Sequence, residues 1–167
     1  NSQWTIDAEY PTALNSQNIH NMRIITDEQK NVLSHAVVKP LIIKSPHIIF
    51  KVGAIGSVTT APEHEGKGLS TQILKDCLDA AKSQQCDIAL LWTNLYDFYR
   101  KLNFELSGSE ISVVVEEEFQ GPLNNLRFMN STKVSPEAIY KLYATHTVNS
   151  VRTVEETRKF MQIPNTI

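Results

Sequence analysis

With 167 residues the chain has the length of one domain, or of one domain and part of another, and 41% hydrophobic residues suffice for a core. A net charge of −2 without a lysine or arginine cluster argues against a nucleic-acid footprint, and no apolar run is long enough for a membrane span. The two cysteines, Cys77 and Cys86, lack metal-ligand spacing; they read as buried thiols of a reducing compartment, with a disulfide between them as the alternative.

Residues 1–20 are polar and irregular, and their start lacks the basic patch and apolar segment of a signal peptide, so a cytoplasmic protein is expected. Met22–Thr26 is a short run of β-formers, followed by a polar turn over Asp27–Asn31. Val32–Lys44 resumes the β pattern, but Pro40 cannot donate to a ladder, which predicts an edge or bulged strand. In the next strand, Ile48–Thr60, Gly53 and Gly56 predict a bulge or a close backbone approach.

Leu69, Ile73, Leu74, Cys77, Leu78 and Ala81 then form one apolar stripe at helical spacing, while Lys75, Asp76, Asp79 and Lys82 face outward. Ile88–Trp92 is apolar throughout and too short for a helix, which predicts a strand buried on both faces. Strand, helix and strand in this order make a βαβ unit. A shorter helix is expected over Asp97–Leu102, and strands over Phe104–Ser107, Ile111–Glu116 and Leu126–Asn130. Beyond residue 130, Ser135-Pro136 predicts an N-cap and first turn, and Thr153 with Glu156 a capping box opening a helix through Met161.

The segment between the second long strand and the long helix reads Thr60-Ala61-Pro62-Glu63-His64-Glu65-Gly66-Lys67-Gly68-Leu69-Ser70. Glycines at 66 and 68 let the chain take positive φ, and the first helical amides have no internal partner, so an anion such as a phosphate suits this place. A P-loop would need an earlier glycine and Ser or Thr directly after the lysine; here Gly68 follows Lys67. A dinucleotide fingerprint would need a third glycine at position 71, which is Thr.

Residues 65–70, E-G-K-G-L-S, instead fit the middle of the pattern R/Q-x-x-G-x-G/A between a strand and a helix. Downstream, Asp97-Phe98-Tyr99-Arg100-Lys101-Leu102-Asn103-Phe104 looks like an F-Y-x-K-L-G-F segment. Both motifs, in this order and at this separation, resemble those of the GNAT superfamily of N-acetyltransferases over residues 22–130. The implied fold is α/β: a central, mostly antiparallel sheet with a splayed parallel pair bridged by the βαβ unit.

The resemblance further implies acetyl-CoA as co-substrate, with no metal. The backbone of Val58, Thr59 and Thr60 would pair with the pantetheine arm as an added strand, and the amides of Gly66, Lys67, Gly68, Leu69 and Ser70 would hold the pyrophosphate. Asn94 is the candidate for a further pantetheine contact. Glu65 departs from the family pattern, where Arg or Gln is usual; a solvated carboxylate about 4 Å from a phosphate charge would cost on the order of 1 kcal/mol. Ser70 is a milder departure, whose hydroxyl could bond phosphate, and Lys67 offers a compensating charge.

Acyl transfer needs a neutral amine, a stabilised oxyanion and a proton for the departing thiolate. The resemblance gives the last task to Tyr99, with packing beside Phe98 and Phe104 as its structural alternative. No general base stands out: Ser57, Thr59 and Thr60 occupy the strand before the loop, His64 and Glu63 read as surface residues, and His35 as a bonded core histidine. The expected activity is acetyl transfer to a small-molecule or peptide amine; the alternative is a catalytically silent module that binds acyl-CoA or packs against a partner. Residues 1–130 read as the acyl-CoA-binding domain lacking the start of its fold, and residues 131–167 as the beginning of a second GNAT-like module. A second module or a swapped copy of the chain is the expected protein partner.

Overall fold

The computed structural model describes residues 5–109, 111, 112, 114, 130 and 133–164. They fall into two compact units: residues 1–92 with 135–167, and residues 93–134.

In the larger unit, strands β1 (Met22–Thr26), β2 (Val32–Lys44), β3 (Ile49–Thr60) and β4 (Ile88–Leu90) lie side by side in chain order. The pairs β1–β2 and β2–β3 are antiparallel, and β3–β4 is parallel. Helix α2 (Leu69–Ser83) connects the parallel pair, so the expected mixed sheet and βαβ unit are present. A short strand β5 (Asn149–Ser150) adds antiparallel to the end of β2. Since β3 already runs along one side of β2, β5 lies on the other, as β1 does.

Helix α2 buries Ile73, Leu74, Cys77, Ala80 and Ala81, close to the predicted stripe. The opposite core face comes from Ala36 and Val38 on β2 and Ile55 on β3. Burial pushes the Cys77 thiol up to about 11, so it stays protonated, and neither cysteine is in a disulfide. Gly53 marks a close approach, as expected: a Cβ there would stand 2.8 Å from that of Ala81 on α2. At Gly56 no such neighbour exists, and the irregularity falls just beyond it.

That irregularity is a bulge. Val37 lies opposite Gly56 and His35 opposite Thr59, so Ser57 and Val58 stand where a regular ladder has one residue. Ser57 has φ of 53°, in the left-handed region that a non-glycine residue enters at a cost.

Pro40 occupies a local edge. Between the pairing with β1, which ends at Val37, and that with β5, which starts at Ile43, β2 has no strand on that side among the described residues. The Asn18 amide caps the Val38 carbonyl at 3.0 Å, and the Val151 N–H caps that of Ile42 at 2.7 Å. The proline falls between them, where the ladder needs no donor.

Three expectations require correction. Residues 5–20 are not irregular throughout: helix α1 (Ile6–Glu9) and a 3₁₀ helix (Ser16–Asn21) form, the latter capped by the Asn15 side chain. Single turns of this kind leave no periodicity to read. Strand β4 is shorter than Ile88–Trp92 and is not buried on both faces, since Ile88 is 49% exposed. Phe104–Ser107 forms no strand. The strands expected over Ile111–Glu116 and Leu126–Asn130 lie largely outside the described residues.

Helix α2 closes with a Schellman pair, the amides of Cys86 and Gln85 reaching the carbonyls of Ala81 and Lys82. Gln85 holds the left-handed position, with φ of 58°. Gln85→Gly is therefore expected to stabilise the protein by about 0.5–1 kcal/mol in urea denaturation, because the Cβ penalty at this φ disappears. A loss of stability would count against the observed cap.

In the C-terminal part, helix α4 (Pro136–Tyr143) starts at the Ser135 cap and α5 (Val154–Phe160) at the predicted Thr153 capping box. The Arg152 guanidinium stacks on the Tyr143 ring, 3.6 Å from its centroid. No helix among the described residues is long and apolar enough to cross a membrane.

Candidate active site

In the larger unit the candidate site is built where β3 ends and α2 begins. Strands β3 and β4 are paired only over Val52–Ala54 and Ile88–Leu90. From Ile55 to Thr60 the β4-side edge of β3 has no strand partner among the described residues. The Ala61 amide donates to the Leu33 carbonyl at 2.8 Å, so residue 61 faces β2. By strand alternation the peptide of Thr59 also faces β2, while those of Val58 and Thr60 face the open edge.

Next, a 3₁₀ turn over Pro62–His64 leads into the glycine loop. Gly66 and Gly68 have φ of 73° and 80°, values that favour glycine, and the space around each is open. Gly68 is the N-cap of α2, and no side chain caps the helix. The first amides of a fifteen-residue helix therefore point outward beside a backbone that a ligand can approach. Glu65 and Lys67 are both exposed, and among the described residues neither forms an ion pair; the Lys67 ammonium lies 3.4 Å from Nδ1 of His64.

Ser70 is tied to the strands by a chain of hydroxyls. Ser34 Oγ donates to the Thr59 carbonyl at 2.9 Å. Having one proton, it must accept the 3.0 Å bond from Thr60 Oγ1, which in turn must accept the 2.7 Å bond from Ser70 Oγ. The Ser70 hydroxyl proton is thus committed inward, and its backbone amide is what it offers to a phosphate.

The other unit holds Asn94 and Tyr99. Asn94 is exposed in a bend before helix α3 (Tyr96–Arg100), which is shorter than the predicted Asp97–Leu102. The ring of Tyr99 is buried and meets Phe98 and Phe104 edge-on, with centroids 5.0 and 5.9 Å away. Its hydroxyl has no hydrogen-bond partner among the described residues. Burial pushes the Tyr99 phenol above its ordinary pKa, which keeps it protonated. Asn103 ends this segment in the left-handed conformation, φ 63°, where the family motif has glycine.

Sequence reasoning missed Ser34 altogether and read His35 only as a bonded core histidine, without its partner. Nδ1 of His35 lies 3.1 Å from the Ser57 carbonyl at the bulge. Their only signal was polarity inside an otherwise apolar strand.

Comparison with solved structures returns proteins of this architecture. A protein from Bacillus halodurans superposes with a TM-score of 0.51 at 16% identity, over 56% of this chain and 64% of its own. Glucosamine-6-phosphate N-acetyltransferase from Arabidopsis thaliana gives 0.49 at 20% identity, over 57% and 66%. A predicted acetyltransferase from Clostridium acetobutylicum, crystallised with acetyl-CoA, gives 0.47 at 17%, over 53% and 60%. The chain thus covers about 60–66% of these three proteins, and the likeness to the first, at 16% identity, is one of fold alone. Comparison with curated proteins returns no match. Residues 8–107, more than half of the 167, match the family model described as an acetyltransferase (GNAT) domain, and the chain belongs to that family.

Proposed function

We propose that the protein is an acyl-CoA-dependent N-acyltransferase that moves the acetyl group of acetyl-CoA to an amine by direct attack. The observation that carries this reading is the uncapped N-terminus of α2 behind Gly66 and Gly68, continuous in sequence with the unpaired edge of β3. A diphosphate suits the first, and an extended, amide-bearing pantetheine arm suits the second. Val58 and Thr60 are the residues whose peptides would pair with that arm.

The neutral amine would attack the thioester carbonyl, forming the C–N bond and a tetrahedral oxyanion. As the C–S bond breaks, the sulfur takes the phenolic proton of Tyr99, and the tyrosinate is reprotonated by the proton that the amine nitrogen gives up. Family membership supports acyl transfer in general; the acetyl donor, the amine acceptor and the role of Tyr99 are this proposal's own.

A binding-only role is the second reading, favoured by the exposed Glu65 carboxylate at the loop. Calorimetric titration with acetyl-CoA is expected to show saturable binding, and absence of heat or thermal shift would remove both readings. With binding in hand, thiol release on a panel of amines decides between them: turnover supports the enzyme, and none on any amine supports the binding module.

A further inference from the structure

We infer that Ser34 and His35, neighbours on β2, act as positioning residues that set the acyl-CoA site from behind. They do so by donating side-chain protons to two carbonyls of β3, one on each side of Val58. This inference rests on the acyl-CoA reading of that edge.

A carbonyl oxygen only accepts, so the 3.1 Å contact between Nδ1 of His35 and the Ser57 oxygen requires a proton on Nδ1. That holds in the neutral ring and in the cation alike. Ser57 is the residue with positive φ in the bulge, a conformation that persists only where its surroundings fix it. The imidazole supplies one such fixture. Ser34, one residue earlier, donates to the Thr59 carbonyl at 2.9 Å from the opposite face of β2, since adjacent strand residues alternate.

The peptide of Val58 is thereby bracketed by two side-chain hydrogen bonds. Neither comes from the edge that the cofactor would use. Ser34 has a second reach: through Thr60 it orients Ser70, the second residue of α2, at the uncapped helix start. His35 therefore bears on the pantetheine edge alone, and Ser34 on both the edge and the phosphate loop.

The test uses the full chain, with Kd measured for acetyl-CoA and for the adenosine bisphosphate fragment of CoA, which lacks the pantetheine arm. His35→Ala is expected to raise the Kd of acetyl-CoA about tenfold, the worth of one hydrogen bond, and to leave that of the fragment unchanged. Ser34→Ala is expected to weaken both ligands. His35→Asn, whose amide nitrogen falls near Nδ1, should restore acetyl-CoA binding, whereas His35→Gln, whose nitrogen falls near Nε2, should not. Equal affinities in wild type and His35→Ala would overturn the inference, as would rescue by Gln instead of Asn. If the wild-type chain binds no acetyl-CoA, the cofactor reading fails by itself. The clamp is then judged by the nitrogen-15 spectrum of His35: an Nδ1–H tautomer supports it, and an Nε2–H tautomer overturns it.

Discussion

Tyr99→Phe is expected to lower the rate of acetyl transfer by about a hundredfold or more while changing the Kd of acetyl-CoA by less than about twofold. Only the hydroxyl is removed. The edge-on contacts with Phe98 and Phe104 use the ring, which Phe retains, so the packing of this segment should survive. The rate profile gives a second readout. An acid must be protonated to act, and burial raises the Tyr99 phenol above the ordinary tyrosine value of 10.0. The protonated form therefore persists at neutral pH, and its loss should appear only as a basic limb above that value, absent from Tyr99→Phe. A rate unchanged by the substitution would leave Tyr99 with packing as its only role.

Gly53→Ala is expected to destabilise the fold by about 1–3 kcal/mol, measured as a lower urea midpoint at constant m-value. The added methyl would stand 2.8 Å from Cβ of Ala81, 3.5 Å from Cγ1 of Val38 and 3.6 Å from Sγ of Cys86. The first distance is below any ordinary contact, and both partners are main-chain-rigid methyl carbons, so helix and strand must move apart. Ala81→Gly in the same chain removes the clashing atom and should recover part of the loss, although a glycine inside α2 costs about 1 kcal/mol itself. Gly53 pairs with Ala89, in the short stretch where β3 and β4 still touch. Widening the helix–sheet gap there should also disturb the point beyond which β3 runs without a strand partner. A neutral Gly53→Ala would mean that α2 sits farther from β3 than the structure places it.

The parts of the fold that were legible in the sequence are those with a period. Helix α2 has its stripe, β2 and β3 have long runs of β-formers, and the Thr153 capping box has fixed spacing. The glycine loop was legible because φ near 80° leaves glycine little competition. What escaped has no such mark. The bulge falls on Ser57, not on either glycine of its strand, because a ladder can gain a residue of any type when neighbouring side chains hold it. Strand β5 is two residues long, too short for alternation to register. The exposure of Ile88 depends on what lies beside β4, which no local pattern encodes. The hydroxyl chain from Ser70 to Ser34 joins residues 36 positions apart and becomes visible only when the strands are in register.

The interval in β2 between its pairings with β1 and β5 has a consequence for solubility. Val37-Val38-Lys39-Pro40-Leu41-Ile42-Ile43 is a run that a foreign strand could extend into a fibril if its side edge were free. Here two of the acceptors that could template such growth are already answered, and one donor is missing. The Val38 and Ile42 carbonyls are occupied by Asn18 and Val151, and residue 40 brings no amide hydrogen at all. The proline that looked like a defect in a strand is the point at which intermolecular growth along this edge finds no donor.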